Sequence, residues 1–324
     1  MAALWAITSF FNPQGYRRKL HNYHTFRHRL EVPLLTVELS YGPHFALASD
    51  DADSLVQVSG RDVMWQKKRL LNLALAALPD ACHAVAWLDC DIVFARRDWA
   101  QKALERLERF SLVQLFAQAH HLSRESETSE INLVKTTAGE CSFASFFMQN
   151  QGVPEVFRAQ AGGRCGSVAP GIAWAARRSL LERHGFYDAC ILGGGDTAFA
   201  HAACGSWEGP IRAWPMNEKQ AEHYRNWAEP FYADVRGDIA HLDGDLFHLW
   251  HGDLRQRRYR ERHRKLLSFA YDPKTDLALD ESGCWRWNSA KPELHRYVEQ
   301  YFALRNEDGE SLKVPAASMH GEAN

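Results

Sequence analysis

Two aspartates one residue apart interrupt an apolar run in "VAWLDCDIVF", residues 85–94. Val85, Ala86, Trp87 and Leu88 read as a strand buried on both faces, and Ile92, Val93 and Phe94 continue that character. In extended chain Asp89 and Asp91 point one way and Cys90 the other. Carboxylates sharing a face repel each other unless a cation lies between them, and a hard divalent ion with oxygen ligands meets that need. The alternative is a strand that stops at Leu88 and leaves two solvated aspartates in a turn, where Asp is common. Further along, "ILGGGDTAFA" sets Asp196 behind three glycines, and "HLWHG" places His248 and His251 at i and i+3 after an acidic "DGD". A lone histidine is commonly a hydrogen-bonded structural residue. Two at this spacing, in a chain that carries D-x-D, point instead to metal ligation.

These groups need a scaffold, and the front half alternates strand and helix signals in the manner of a mostly parallel α/β sheet. "LWAITSFF" is a first strand, "YRRKLHNYHTFRHRLE" a helix, "PLLTVELSYG" a second strand and "FALAS" a short third. "WQKKRLLNLALAALP" has helical apolar spacing and is closed by Pro79. The aspartate pair then lies at or just past the carboxyl end of a strand in a βαβ run, where open α/β sheets bind ligands. "DWAQKALERLERF" is a helix, "SLVQLFAQAHHL" a strand and its exit, and "SRESETSEINLVKTTAGE" a polar loop. "APGIAWAARRSLLERHGFYDACILGGGDTAFAHAACG" reads as strand, helix, Gly-rich turn and second helix.

The 324 residues can bury a large core, and a net charge of −2 gives no global bias toward nucleic acid or membrane. Residues 1–253 are expected to form the main domain, 254–306 a basic helical extension and 307–324 a polar, disordered tail. "MAALWAITSFF" lacks the basic n-region of a signal peptide, and no apolar stretch is long enough to span a bilayer. Seven scattered cysteines without C-x-x-C spacing suggest reduced thiols and a cytoplasmic location, the host's cytoplasm if the chain is phage-encoded.

The order of "KKRLLNLALAALP", "VAWLDCDIVF", "GIAWAARRSLLERHGFYD", "GGGD" and "HLWHG" resembles nucleotide-sugar glycosyltransferases of the GT-A fold over roughly residues 4–255. The likeness is to inverting families that include the family 2 enzymes and the β-1,4-galactosyltransferases. It implies an α/β fold with a Rossmann-like, mostly parallel central sheet flanked by helices. It also implies a Mn2+ or Mg2+ ion on D-x-D that bridges the phosphates of a nucleotide-sugar donor, a UDP-sugar in this reading. Asp91 matches the direct ligand, and Asp89 would bind the ion through water or touch the donor ribose. His251 matches the later ligand, and the resemblance leaves open whether His248 is another. Asp196 matches the catalytic base, which takes the acceptor proton as the anomeric carbon inverts; its alternative is a helix N-cap. Where the family carries Glu before that Asp, this chain has Gly195, so the acceptor is expected to differ. Gly194 and Gly195 would let backbone approach the acceptor. Thr8, Phe10, Phe11 and Asn12 follow strand one, where this fold grips the base, and Lys68 and Asn72 lie on the helix before D-x-D. For Phe10 and Phe11 core packing competes with base stacking. Trp174 matches a strand lining the acceptor cleft, or is plain core.

"RQRRYRERHRKLL", residues 255–267, carries seven Arg or Lys and one Glu. On a helix it is a solvated face, or a surface for the donor diphosphate, an anionic membrane or a nucleic-acid backbone. The resemblance assigns Arg255 and Tyr259 to the diphosphate. Three functions compete. The first is a metal-dependent inverting glycosyltransferase acting on a hydroxyl acceptor such as a bacterial or phage surface glycan. The second is a phage-type transferase acting on hydroxymethylated pyrimidines in DNA. The third is a nucleotide-sugar-binding or nucleotidyltransferase protein, although "TSFFNPQGYRRK" is a poor nucleotide loop.

Overall fold

The computed structural model describes residues 4–124, 136–150, 152–156 and 167–309. Strands in its first part are β1 (Leu4–Phe11), β2 (Leu34–Ser40), β3 (Ser54–Ser59), β4 (Ala84–Leu88), β5 (Ile92–Phe94), β6 (Leu112–Gln114) and β7 (Gln118–Leu122). They continue with β8 (Thr136–Ser142), β9 (Ser167–Ala169), β10 (Ala173–Arg177), β11 (Ile239–His241), β12 (Asp245–His248), β13 (Leu277–Leu279) and β14 (Trp285–Trp287). The helices are α1 (Arg17–Arg29), α2 (Lys67–Ala76), α3 (Trp99–Leu107), α4 (Phe143–Asn150), α5 (Arg178–His184) and α6 (Gly195–Ala203). After them come α7 (Glu208–Ala213), α8 (Glu218–Val235), α9 (Glu261–Leu266), α10 (Pro273–Asp276) and α11 (Pro292–Leu304).

A seven-stranded sheet, ordered β11-β6-β10-β4-β1-β2-β3, carries the molecule. It is parallel except at β10, which runs antiparallel to β4 and β6. The fold is therefore the expected α/β arrangement around a mostly parallel sheet. Residue alternation separates its two faces. Ile7, Leu35, Val37, Val85, Trp87 and Trp174 enter one apolar cluster with α2, α6 and α8, whereas Ala6, Leu34, Ala84, Ala86, Leu88 and Ala175 enter the other with α1 and α3. Large side chains crowd the first face, where Trp87 stacks on Trp174 and meets Phe186 and Phe199 edge-on. Cutting Trp87 back to Ala would cost about 3–5 kcal/mol.

A second sheet, ordered β5-β12-β7-β8-β9, begins where β4 ends. The chain between Leu88 and Ile92 is a turn that passes from one sheet to the other, so the aspartates do not share one extended strand. Asp89 N–H donates to Ile172 O at 2.8 Å, and Leu249 N–H donates to Asp91 O at 2.8 Å. β5 pairs antiparallel with β12, setting His248 opposite Ile92.

Several elements differ from expectation. "FALAS" is not a strand; Ala46 and Leu47 N–H donate to the Glu38 carboxylate at 2.6 and 3.3 Å, so their hydrogen bonds end on a side chain, and the third strand is β3. The polar loop expected through residue 140 includes most of β8; residues 125–135 lie outside the described residues. The basic run is not one helix. A 3-10 turn (Leu254–Arg257) is broken at Arg258, φ 45°, before α9 begins. The extension also carries the antiparallel β13–β14 pair and docks on α2, with Gln66 exchanging hydrogen bonds with the Trp285 backbone at 3.0 and 2.7 Å. Glu307 is buried rather than frayed, and Asp308 accepts from Arg17 N and Arg18 N at the start of α1. Residues 310–324 lie outside the described residues. Cys82, Cys90, Cys190, Cys204 and Cys284 are free thiols, but Cys141 is disulfide-bonded, against the expectation of reduced thiols throughout; linear spacing does not report which thiols meet in space. Among the described residues no helix is long and apolar enough to cross a membrane.

Candidate active site

A cleft of about 1080 Å³ opens at the carboxyl ends of β1 and β4, the position at which such sheets bind ligands. Its floor contains Thr8 and Phe11 from β1, and Leu88, Asp89 and Asp91 from the end of β4 and the turn after it. Thr8 Oγ1 donates to Leu88 O at 2.7 Å and ties the two strand ends together. Ile172, which lines the cleft and whose carbonyl holds Asp89, has φ 75°. A β-branched residue in that region is strained, and such strain persists where surrounding structure imposes it, often at functional sites.

One end of the cleft is built around Asp196 in the first turn of α6. The N-cap is Gly194, φ 96°, where an added Cβ would lie 2.8 Å from the Trp214 ring. Asp196 is therefore not the cap. Its carboxylate instead accepts a hydrogen bond from Lys67 Nζ on Oδ2 and forms an ion pair with Lys68 Nζ on Oδ1, each at 2.8 Å, the Lys68 contact lacking hydrogen-bond geometry. Lys67 also pairs with Asp89 Oδ1. Gly171 permits this close assembly, since a Cβ there would lie 2.8 Å from Asp196 Cβ. Burial pushes the Asp196 carboxyl up, but Lys67 and Lys68 outweigh it and hold the group below the usual carboxylate range. Burial disfavours charge on Lys67, yet Asp196 and Asp89 reverse this and raise its pKa. For Lys68 burial prevails, with the Lys67 charge adding to it, and its pKa is lowered.

The other end is built around Asp91, His248 and His251. One donor atom from each lies within 4.8 Å of the others. Asp91 Oδ1 is buried with no hydrogen-bond partner among the described residues, while His248 Nε2 stands 3.5 Å from it. His251 Nδ1 is 2.9 Å from Leu249 O and 3.7 Å from Asp91 Oδ2, so it would ligate a cation through Nδ1 only in the tautomer that carries its proton on Nε2. Burial, then the neighbouring His121, lowers the His248 pKa to about 3, and burial with Arg257 holds His251 well below its ordinary value. Both imidazoles are thus neutral, as metal ligation requires. Burial raises the Asp91 pKa, with Glu307 adding to it, and Lys19 and Arg257 do not outweigh them. An orphaned carboxylate oxygen beside two neutral imidazoles fits a divalent cation. Behind them, His121 Nε2 lies 2.9 Å from Glu140 Oε2, and Arg257 donates to His251 O. Arg305 Nε donates to Glu307 Oε1 at 2.6 Å, and the arginines and Lys19 overcome burial to hold Glu307 at about 2.

Thr8, Phe11, Asp89, Asp91, Gly194, Asp196, His251, Arg255 and Tyr259 all line the cleft. Others that the sequence suggested do not. Phe10 alternates away from Phe11 and packs edge-on against Tyr23 at 5.2 Å. Asn12 exchanges hydrogen bonds with the Tyr16 backbone, both at 2.9 Å, and shapes the turn into α1. Asn72 clamps the Phe186 backbone, accepting at 2.7 Å and donating at 3.0 Å. Lys68 reaches only Asp196 from beneath, Gly195 faces Lys68 rather than the cleft, and Trp174 is 1% exposed core. Asp89 pairs with Lys67 and lies outside the Asp91 cluster, which His248 joins. Two members of the basic run turn inward, Arg257 and Arg262, the latter meeting the Tyr301 hydroxyl, while Arg255, Arg258, Arg260, Arg264 and Lys265 are exposed. Sequence reasoning missed Lys67, Ile172, Arg257, Arg305 and Glu307. Only Lys67 left a signal, as half of a lysine doublet opening an otherwise apolar helix.

No protein-family model and no curated protein matches the sequence. Among solved structures the chain is similar to S. aureus TarS, with 11% identity and a TM-score of 0.40, over 97% of this chain and 46% of that one. The chain thus spans less than half of that TarS chain. It is also similar to S. aureus TarS 1-349 in complex with UDP, at 10% identity and TM-score 0.38, over 93% and 70% of the two chains. A third likeness is to a putative nucleotide-diphospho-sugar transferase from Desulfovibrio desulfuricans G20, at 12% identity and TM-score 0.32, over 76% and 82%.

Proposed function

We propose that the protein is a metal-dependent glycosyltransferase that moves a sugar from a nucleotide-sugar, a UDP-sugar in the simplest reading, to a hydroxyl acceptor with inversion. One observation carries this: a neutral-imidazole and carboxylate cluster with an orphaned oxygen shares a single cleft with an ionised aspartate, at the carboxyl ends of β1 and β4. Asp91, His248 and His251 would hold the cation, whose chemistry is to neutralise the charge that develops on the leaving diphosphate. Their mixed nitrogen and oxygen donors suit Mn2+ better than Mg2+, which prefers oxygen alone. Thr8 and Phe11 form the floor on which the nucleoside would lie, and Arg255 and Tyr259 stand at the rim.

Asp196 would accept the acceptor proton on Oδ2 while the acceptor oxygen bonds to the anomeric carbon and the bond to the diphosphate breaks. The lysines keep Asp196 ionised at neutral pH but also weaken it as a base, so one of them must yield during the reaction. The test is incubation of the protein with a panel of nucleotide-sugars and Mn2+, reading free nucleoside diphosphate and the mass of offered acceptors. Release and transfer that vanish in EDTA support the proposal. Full turnover in excess EDTA, or no turnover of any nucleotide-sugar, would sink it.

A further inference from the structure

The two lysines that open α2 differ in access. Both hold Asp196, so each of its oxygens is engaged by an ammonium. Lys68 is sealed beneath the cleft, with Nζ over the rings of Phe186 and Phe199 at 5.0 and 5.6 Å from their centroids. Lys67 lines the cleft and spans two carboxylates, Asp196 and Asp89. It therefore bridges the residue placed to take the acceptor proton and the carboxylate that ends β4, where a donor would enter.

We infer that Lys67 is a positioning residue that frees Asp196 as a proton acceptor only when an anionic donor fills the cleft; this rests on the reading given above. A diphosphate beside Asp89 competes for Lys67, the one of the two α2 ammonium groups that lines the cleft. It would bias that ammonium by pairing with Lys67 more strongly once Nζ has left Asp196, since a ligand shifts an equilibrium through such a difference in affinity. When Nζ moves to a phosphate oxygen, Lys68 keeps Asp196 oriented through Oδ1, and the Oδ2 lone pairs open toward the acceptor side. One ion pair replaces another, with no proton transferred and no covalent bond changed. An acceptor arriving first meets a carboxylate with both oxygens occupied. Donor therefore binds before acceptor.

The test follows the side-chain ammonium resonances of 15N-lysine-labelled protein, assigned with Lys67→Arg and Lys68→Arg, as inorganic pyrophosphate is added with Mg2+. Calorimetry on the same samples measures pyrophosphate binding. The Lys67 resonance should move at saturation while that of Lys68 stays nearly fixed. Lys67→Gln should weaken pyrophosphate binding by about ten- to a hundredfold, as expected on losing a charge-assisted contact, at an unchanged fold by circular dichroism. Bound pyrophosphate that leaves Lys67 unmoved, or moves both lysines equally, overturns the inference, as does an absence of pyrophosphate binding. A selective Lys67 response without turnover of any nucleotide-sugar would uphold the switch and reject the glycosyltransferase reading. Turnover without the response would do the reverse.

Discussion

At one end of the cleft Asp91 keeps a buried oxygen without a hydrogen-bond partner among the described residues, beside two neutral imidazoles; at the other, both oxygens of Asp196 are held by ammonium groups. The contrast lies in where the positive charge comes from. The Asp196 end carries its cations on α2, so it is electrostatically complete and must be opened before it can accept a proton. At the Asp91 end the positive charges of Lys19, Arg257 and Arg305 are shared with Glu307, and none of them donates to Asp91 Oδ1. That oxygen is left open to a ligand. Two carboxylates in one cleft thus differ in role through their surroundings rather than their type.

The largest effect should come from the incomplete end. Asp91→Ala is expected to abolish nearly all transfer, since the charge on the leaving diphosphate would be unmatched. Retained turnover in a nucleotide-release assay would show that the end needs no cation. Asp196→Asn should keep donor and metal binding but lose transfer by about two to four orders of magnitude, the usual span for removing acid–base assistance. Normal transfer by that variant would make the lysine-bound end purely structural. His251→Ala should weaken Mn2+ affinity by about ten- to a hundredfold, leaving activity recoverable at high Mn2+; the same activity at every concentration would remove His251 from the cluster.

The smallest effect concerns stability at the Asp196 end. His201, on the same helix, is 3% exposed, and burial lowers its pKa from 6.5 to about 4, against a smaller opposing effect of the Ser206 backbone. Its depressed pKa means the unfolded chain binds the proton first. The stability it permits is therefore intact above pH 6.5 and falls as pH drops from 6.5 to about 4. The loss between pH 7 and pH 5 is about 2 kcal/mol. Thermal unfolding of the protein and of His201→Leu should show a steeper acid slope for the parent; equal slopes would contradict this assignment.

The sheet and much of the cleft floor were legible because β4 is a continuous apolar run buried on both faces, β1 and β10 are nearly so, and α2 has helical apolar spacing. Motif order brought Asp91, Asp196 and His251 to one cleft. Adjacent residues defeated the same reasoning. Phe10 and Phe11 are alike in composition, and only the strand's orientation sends one to α1 and the other to the cleft. Lys67 and Lys68 differ only in how α2 is rotated, and the sequence favoured the sealed one. β3 was misplaced because Glu38 takes the backbone hydrogen bonds of the segment before it. Glu307 was hidden because its charge is balanced by Arg305, Arg257 and Lys19, the last of them far away in sequence.

The central claim is that Asp91, His248 and His251 form a metal centre. Calorimetric titration of the metal-stripped protein with Mn2+, set beside Asp91→Asn of equal melting temperature, tests it most directly. One Mn2+ per chain is expected in the parent, with at least about tenfold weaker binding in the variant. Equal Mn2+ affinity in the two proteins, or no binding by the parent, would contradict it.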